Sequence, residues 1–300
     1  MAVKIILSLD GGGIRGAATA QFLSRLESDL GSSLYNTFDL FAGTSTGGII
    51  AGAIGLLQKR GVDLPDLYNY ENANRIMNKS AWDRMLGFAQ TEPRYDGSGK
   101  IGVLTDYFGE KKLNDADKPV LVVTYDVEKR KSDVLKSNGD QVVKAVDAFN
   151  ATSAAPLYFP TAKVAGDNVR WLIDGGVIAN NPAMCAYAEA VSLWGRDDEI
   201  RMLSVGTGSI NRKIDGKQSQ GYGALGWINH DLLGITMDES VVEYQAKVIL
   251  GDNYLRVNSE LHDVNDDMDD VRQKNINDLI KLGDRWYETF GDQAVALLTR

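Results

Sequence analysis

The 300-residue sequence predicts an α/β fold, with a largely parallel sheet and helices on both of its faces. Two observations predict it. Short β-branched, apolar runs alternate along the chain with stretches whose apolar residues recur every three or four positions. Two glycine-rich turns, Gly11–Gly16 and Gly43–Gly47, each stand between such a run and such a stretch. No repeat, low-complexity tract or Pro/Ser-rich linker interrupts the pattern. One domain over residues 1–300 is therefore expected, with its motifs in about 4–210 and a mainly helical part from 211 to 300.

The elements follow in order. VKIILSL at 3–9 reads as a strand, and Ala18, Phe22, Leu26 and Leu30 then recur at the spacing of one helix face. Residues 38–42 form the next strand. Ile49, Ile50, Ala53, Ile54 and Leu57 continue as a strongly apolar helix, with Gly61 as its natural stop. Further strands are expected near 120–125, 170–173 and 201–205. EKRK at 128–131 lies between VLVVTYDV and SDVLKS, as the solvated turn of a hairpin would. Asn181-Pro182 supplies a cap and a first-turn proline for AMCAYAEAVSLW.

Composition narrows the function. With 44% apolar and 24% charged residues the chain has ample material for a core. A formal charge of −9 argues against nucleic acid as a partner, and against strongly anionic membranes unless a local basic patch compensates. No run approaches the ~18 apolar residues of a membrane span. Asp10 interrupts IILSL before a signal peptide's apolar region would finish, so a cytoplasmic protein is expected. The single cysteine, Cys185, makes no internal disulfide and no zinc cluster, and neither metal nor cofactor is expected.

Gly11, Gly13 and Gly16 spell G-x-G-x-x-G after a strand and before a helix, the setting of a dinucleotide-binding turn. Such a site needs an acidic residue about 20 positions on, ending the second strand, to hold a ribose. GSSL at 31–34 stands there instead, and Asp39 comes later. A serine hydrolase needs something else from a second loop: backbone N–H donors aimed at the substrate's carbonyl oxygen. Gly11-Gly12-Gly13 at a helix start offers them, and Arg15 adds positive charge nearby.

The serine is present. Gly43-Thr44-Ser45-Thr46-Gly47 is G-x-S-x-G between a short strand and an apolar helix, which is the context of a nucleophile elbow. The glycines permit a sharp turn, and the helix dipole favours the anion that forms in acyl transfer. A base must accompany it. The two histidines are His230, in GWINHDLLG, and His262, in SELHDVNDD. Ser45, Asp174 and either histidine come in α/β-hydrolase triad order, yet Ser45 follows only one strand–helix unit. His262 sits among acids and His230 on an apolar helical segment, where a packed or surface role is the commoner one. Asp174 in RWLIDGGVIANNP ends a strand, and Gly175 and Gly176 after it let another backbone come close. A carboxylate with a pKa near ~4 is a weak base for a hydroxyl, and burial raises that value. Taken alone, Asp-Gly-Gly reads equally well as a plain turn.

DGGGIRG, GTSTG and DGG in this order resemble the patatin-like phospholipase family. PRYDGSGK, DYFGEKKL, ATSAAPLYFP and SVGTGS agree with its bacterial members, and the matched stretches spread over about residues 4–210. The resemblance implies a patatin-type three-layer α/β/α fold related to α/β-hydrolases. It implies a lipid acyl hydrolase that releases fatty acids from phospholipids, galactolipids or acylglycerols through a Ser–Asp dyad. Ser45 would be the nucleophile and Asp174 the base. Gly11, Gly12, Gly13 and Arg15 would form the oxyanion loop, with Gly43, Gly47, Gly175 and Gly176 completing the motifs. An acyl-lipid substrate and transient membrane contact follow from it, and no cofactor. Some bacterial relatives are switched on by a partner or a nucleotide messenger, on which this sequence is silent. The other readings are a histidine-dependent esterase of soluble esters, a nucleotide-binding oxidoreductase using Gly11–Gly16, and a binding module without activity.

Weaker features remain. ATSAAP at 151–156 is a run of small side chains that would pack closely beneath an active site or in a plain core. Leu225, Ile228, Leu232 and Ile235 with Trp227 form one apolar stripe, and Ile76, Met77, Trp82, Met85, Leu86 and Phe88 another. Each would contact acyl chains, the second as a lid or interfacial patch, although core is the commoner fate of such stripes. Asp263, Asn265 and Asp267 match three positions of an EF-hand loop, but Met268 and Lys274 occupy its glycine and glutamate positions. Gly97-Ser98-Gly99-Lys100 lacks P-loop spacing.

Overall fold

The structure, a computed structural model, describes residues 2–78, 92–166, 168–210, 213–230 and 232–300. An eight-stranded sheet runs in the order β5-β6-β3-β2-β1-β7-β8, with β4 paired to β3. Its strands are β1 (Val3–Leu9), β2 (Leu40–Thr44), β3 (Val120–Asp126), β4 (Lys131–Lys136), β5 (Ala162–Val164), β6 (Arg170–Asp174), β7 (Glu199–Val205) and β8 (Tyr254–Val257). β3, β2, β1, β7 and β8 are mutually parallel, while β4 and β6 run antiparallel to β3. The largely parallel sheet expected from the sequence is therefore present, and EKRK forms the β3–β4 hairpin turn.

Both faces of the central strands are apolar, so their alternate residues feed two cores. Leu7, Leu9, Phe41, Val120, Val122, Leu203 and Val205 point to one side, among Phe22, Phe149 and Trp286. There lie the helices Gly16–Leu30, Thr46–Gly55, Ala145–Thr152 and Gln273–Thr299. Ile6, Leu40, Ala42, Leu121 and Met202 face the other side, where Ala183, Ala186 and Ala190 bring helix Ala183–Trp194 close. Helix Ser240–Leu250 completes that layer through Ala246 and Val242. Helix, sheet and helix make three layers.

Boundaries shift for local reasons. β2 starts at Leu40 rather than residue 38, because Asp39 clips the β1 backbone, its N–H on Ile5 O (2.7 Å) and its carboxylate on Ile5 N–H (2.8 Å). The helix after Ser45 ends at Gly55, not near Gly61; Gln58 takes a positive φ of 54° and the Lys59 N–H returns to Ala53 O. β5 and β8 were not expected. They are edge strands of three and four residues, too short to show periodicity.

One pairing detail positions everything that follows. β4 occupies one edge of β3 from Leu121 to Asp126. On the other edge β2 pairs with Val120–Val123, and β6 takes over at Thr124–Asp126 from the opposite direction. β2 and β6 therefore meet end to end, with Thr44 beside Val123 and Asp174 beside Thr124.

The last helix, Gln273–Thr299, lies along the first, Gly16–Leu30. A Cβ on Gly283 would stand 2.5 Å from the Ala18 carbonyl oxygen, so the two backbones touch there. Gly283→Val should force them apart and lower unfolding free energy by about 1–3 kcal/mol, read as an earlier urea midpoint.

Candidate active site

β2 delivers Ser45 to the carboxyl end of the parallel strands, where ligand sites of open α/β sheets lie. Ser45 has φ 54° and ψ −125°, a strained conformation that lifts its side chain away from the helix it precedes. The strain is held from several sides. A Cβ on Gly47 would lie 2.2 Å from the Leu9 carbonyl oxygen, and one on Gly43 2.3 Å from that of Gly47, so both glycines of G-x-S-x-G are required. The Ser45 N–H donates to Thr152 Oγ1 (3.0 Å), whose own hydroxyl donates to Val123 O (2.6 Å). That threonine fills the gap where β2 stops and β6 has not begun.

Asp174 arrives from the other side of the gap. Its N–H donates to Ala154 O (3.0 Å), and its Oδ1 accepts the Gly176 N–H (2.7 Å). A Cβ on Gly175 would meet Val123 O at 2.3 Å, which makes glycine necessary there. The Ser45 hydroxyl lies in hydrogen-bonding reach of the Asp174 carboxylate, and both residues are buried. Burial pushes the Asp174 pKa up to about 6; the Ser45 hydroxyl, the Gly176 N–H and the Lys100 ammonium limit the rise.

The glycine loop faces them. The Gly11 N–H is committed to Asn180 O (3.2 Å), and its carbonyl accepts the Thr207 hydroxyl (2.7 Å). Gly12 and Gly13 line the pocket, and among the described residues neither N–H meets an acceptor. Arg15 is placed differently from the charge expected in the pocket. It is buried behind the loop, with Nε on Gly12 O (3.3 Å) and Nη1 on Gly208 O (3.4 Å), and it does not line the cavity. Further back, Arg256 on β8 holds Asp10 through both carboxylate oxygens and also bonds Glu239, which accepts the Asn180 amide (2.6 Å).

These groups open into one pocket enclosing about 1110 Å³, its solvent mouth included. Ile14, Ile49, Val103, Leu104, Phe108 and Phe159 wall it, a lining suited to an acyl chain. Ile76 and Met77 of the second apolar stripe join that wall, whereas Trp82, Met85, Leu86 and Phe88 lie outside the described residues. In the first stripe Leu225 and Ile235 are 77% and 46% exposed rather than core, and the side chains of Ile228 and Leu232 fall outside the description. Trp227 packs edge-on against Tyr222.

Neither histidine reaches the pocket. His230 bonds the Tyr222 hydroxyl (2.8 Å) and Gly226 O (2.8 Å), and His262 pairs with Glu260 (3.2 Å) on the surface. In the acidic run, Asn265 donates to Asp270 (2.7 Å) and accepts the Asp267 N–H (3.1 Å). Among the described residues no three His, Cys, Asp or Glu side chains group as a metal site.

Two residues of the site escaped the sequence reading. Thr152 sits in the ATSAAP run, but nothing in a run of small residues singles out the hydroxyl that bridges two strands. Lys100 ends the GSGK stretch and is fully buried in the pocket. Its signal was there: Lys100, Val103, Leu104 and Phe108 share one buried face of helix Ser98–Phe108.

The family model for patatin-like phospholipase matches residues 7–187. A cGAMP-activated phospholipase of Pseudomonas aeruginosa is 32% identical, over 85% of this chain and 78% of its own. Patatin-like protein 1 of Arabidopsis thaliana is 28% identical over 93% of this chain and 80% of its own. VipD from Legionella pneumophila shares the fold, with a TM-score of 0.54 at 13% identity, over 98% of this chain and 66% of that one. With a family match over more than half its length, the chain belongs to the patatin-like phospholipase family and is an ester-bond hydrolase.

Proposed function

We propose that the protein releases fatty acids from acyl lipids through a Ser45–Asp174 dyad, without a histidine. One observation carries the reading: a strained serine within reach of a buried carboxylate whose pKa is raised to about 6, at the end of an apolar pocket. Asp174 takes the proton of Ser45 as its oxygen attacks the ester carbonyl. The oxyanion is received by the N–H groups of Gly12 and Gly13, while the acyl chain lies along Ile49, Val103 and Phe108. Asp174 returns the proton to the departing alcohol, leaving an acyl-enzyme. Water, deprotonated by the same carboxylate, then frees the fatty acid and restores Ser45.

No helix among the described residues is long and apolar enough to cross a membrane. We place the enzyme in the cytoplasm, visiting membranes from the aqueous side. The Pseudomonas relative, named as cGAMP-activated, makes a nucleotide messenger the first activator to test.

Ser45→Ala and Asp174→Asn should each reduce fatty-acid release at least about 1,000-fold, while His230→Ala and His262→Ala keep wild-type rates. Product analysis by mass spectrometry on mixed lipids decides between these; activity surviving in Asp174→Asn would contradict the dyad. The acid limb of kcat/KM should fall with an apparent pKa near the Asp174 value of about 6.

The same shift has a stability sign. The folded-state pKa lies above the ordinary 3.8, so the native protein binds the proton more tightly than the unfolded chain does. Stability is then lost as pH rises from about 4 to about 6, and the ionised aspartate stays unfavourable at neutral pH. Asp174→Asn should therefore be more stable than wild type at pH 7, by roughly 1–3 kcal/mol. Denaturant titrations at pH 4 and pH 7 test it, since the gain should shrink at the lower pH.

A further inference from the structure

Lys100 is a buried cation for which the reaction as written has no use. It rises from helix Ser98–Phe108, is 3% exposed and lines the catalytic pocket. Its ammonium has three N–H groups. Nζ donates to Ser153 O (2.7 Å) and Asn150 O (3.3 Å), and it stands 4.0 Å from the centre of the Phe159 ring. Its faces are thus covered by protein, which leaves little to offer a lipid phosphate.

What it holds matters more. Asn150 and Ser153 lie at the carboxyl end of helix Ala145–Thr152, where unpaired carbonyls attract a cation. The same turn anchors both members of the dyad: Thr152 Oγ1 receives the Ser45 N–H, and Ala154 O receives the Asp174 N–H. Among the described residues, Lys100 is the charged group that acts on Asp174, and Asp174 the one that acts on Lys100.

We propose that Lys100 is a positioning residue of the reaction: its ammonium fastens the turn on which Ser45 and Asp174 both hang, and its charge faces the Asp174 carboxylate. The inference rests on the dyad described above. Burial draws the lysine pKa down to about 7 and the aspartate opposes that fall; with Asp174 at about 6, the ionised pair is favoured between about pH 6 and pH 7.

Three substitutions separate the two roles. Lys100→Met removes donor and charge, Lys100→Gln keeps a donor, and Lys100→Arg keeps the charge. On a short-chain soluble ester, Lys100→Met should lower kcat by about 10- to 100-fold with KM little changed, as misplacement of reacting groups does. Lys100→Gln and Lys100→Met should both move the acid limb of kcat/KM upward by about one pH unit. Lys100→Arg should leave that limb at the wild-type pH, even if turnover drops. A merely structural lysine would not move the limb. An unmoved limb in Lys100→Gln, or loss of folding in all three variants, overturns the proposal. Activity retained in Asp174→Asn speaks against the dyad, whereas loss there with an unmoved limb in Lys100→Gln speaks against Lys100 alone.

Discussion

β2 and β6 approach each other along a single edge of β3, and the space between Thr44 and Asp174 is where the sheet runs out of partners. A gap of this kind strands backbone groups inside the protein, at roughly 1–3 kcal/mol each if nothing meets them. The Thr152 hydroxyl meets two of them at once, accepting from Ser45 and donating to Val123. Because the gap is filled by one side chain, a serine and an aspartate 129 positions apart are brought side by side. Gly175 has no room for a side chain for the same reason: the Val123 carbonyl comes too close. Gly43, Gly47 and Gly175 record close backbone contacts around this junction, whereas Gly11, Gly12 and Gly176 leave room for the side chains of Asn180, Thr207 and Asp174.

The charges are arranged around that junction in two tiers. In front, Asp174 and Lys100 share one pocket whose walls are mainly apolar. Behind the glycine loop, Asp10, Arg256 and Glu239 form a buried group, with Asn180 linking it to Gly11. A buried carboxylate with a raised pKa weakens the folded state while strengthening the base, an exchange common at active sites. The hydrogen bonds from Gly176 and Ser45 limit how far it goes.

Much of this was legible in the sequence, for identifiable reasons. The central strands announce themselves because both of their faces are buried, which makes VKIILSL and VLVVTYD almost continuously apolar. The elbow and Asp-Gly-Gly are legible because close backbone approach leaves glycine as the trace. Arg15 was not, since a lone arginine beside a loop serves carbonyls behind it as well as a ligand in front. Thr152 acts through partners more than 25 residues away that no local pattern encodes, and for Lys100 the buried helix face was legible while its carbonyl partners at Asn150 and Ser153 were not. β8 is four residues long and reads as nothing in particular, yet it carries Arg256.

That last placement bears on how the chain could be trimmed. Every motif ends by about residue 210, so a fragment stopping there would hold all of them. It would lack β8, and with it the guanidinium that neutralises Asp10 immediately before the glycine loop. Burial already holds the Asp10 carboxyl well above the usual carboxylate range and Arg256 is the charge that opposes that rise, so without it the group beside Gly11 would move further toward its neutral form and the ion pair behind the glycine loop would be lost. The motif-poor tail therefore supplies both the cation behind the glycine loop and, through Trp286 and its neighbours, part of the main core.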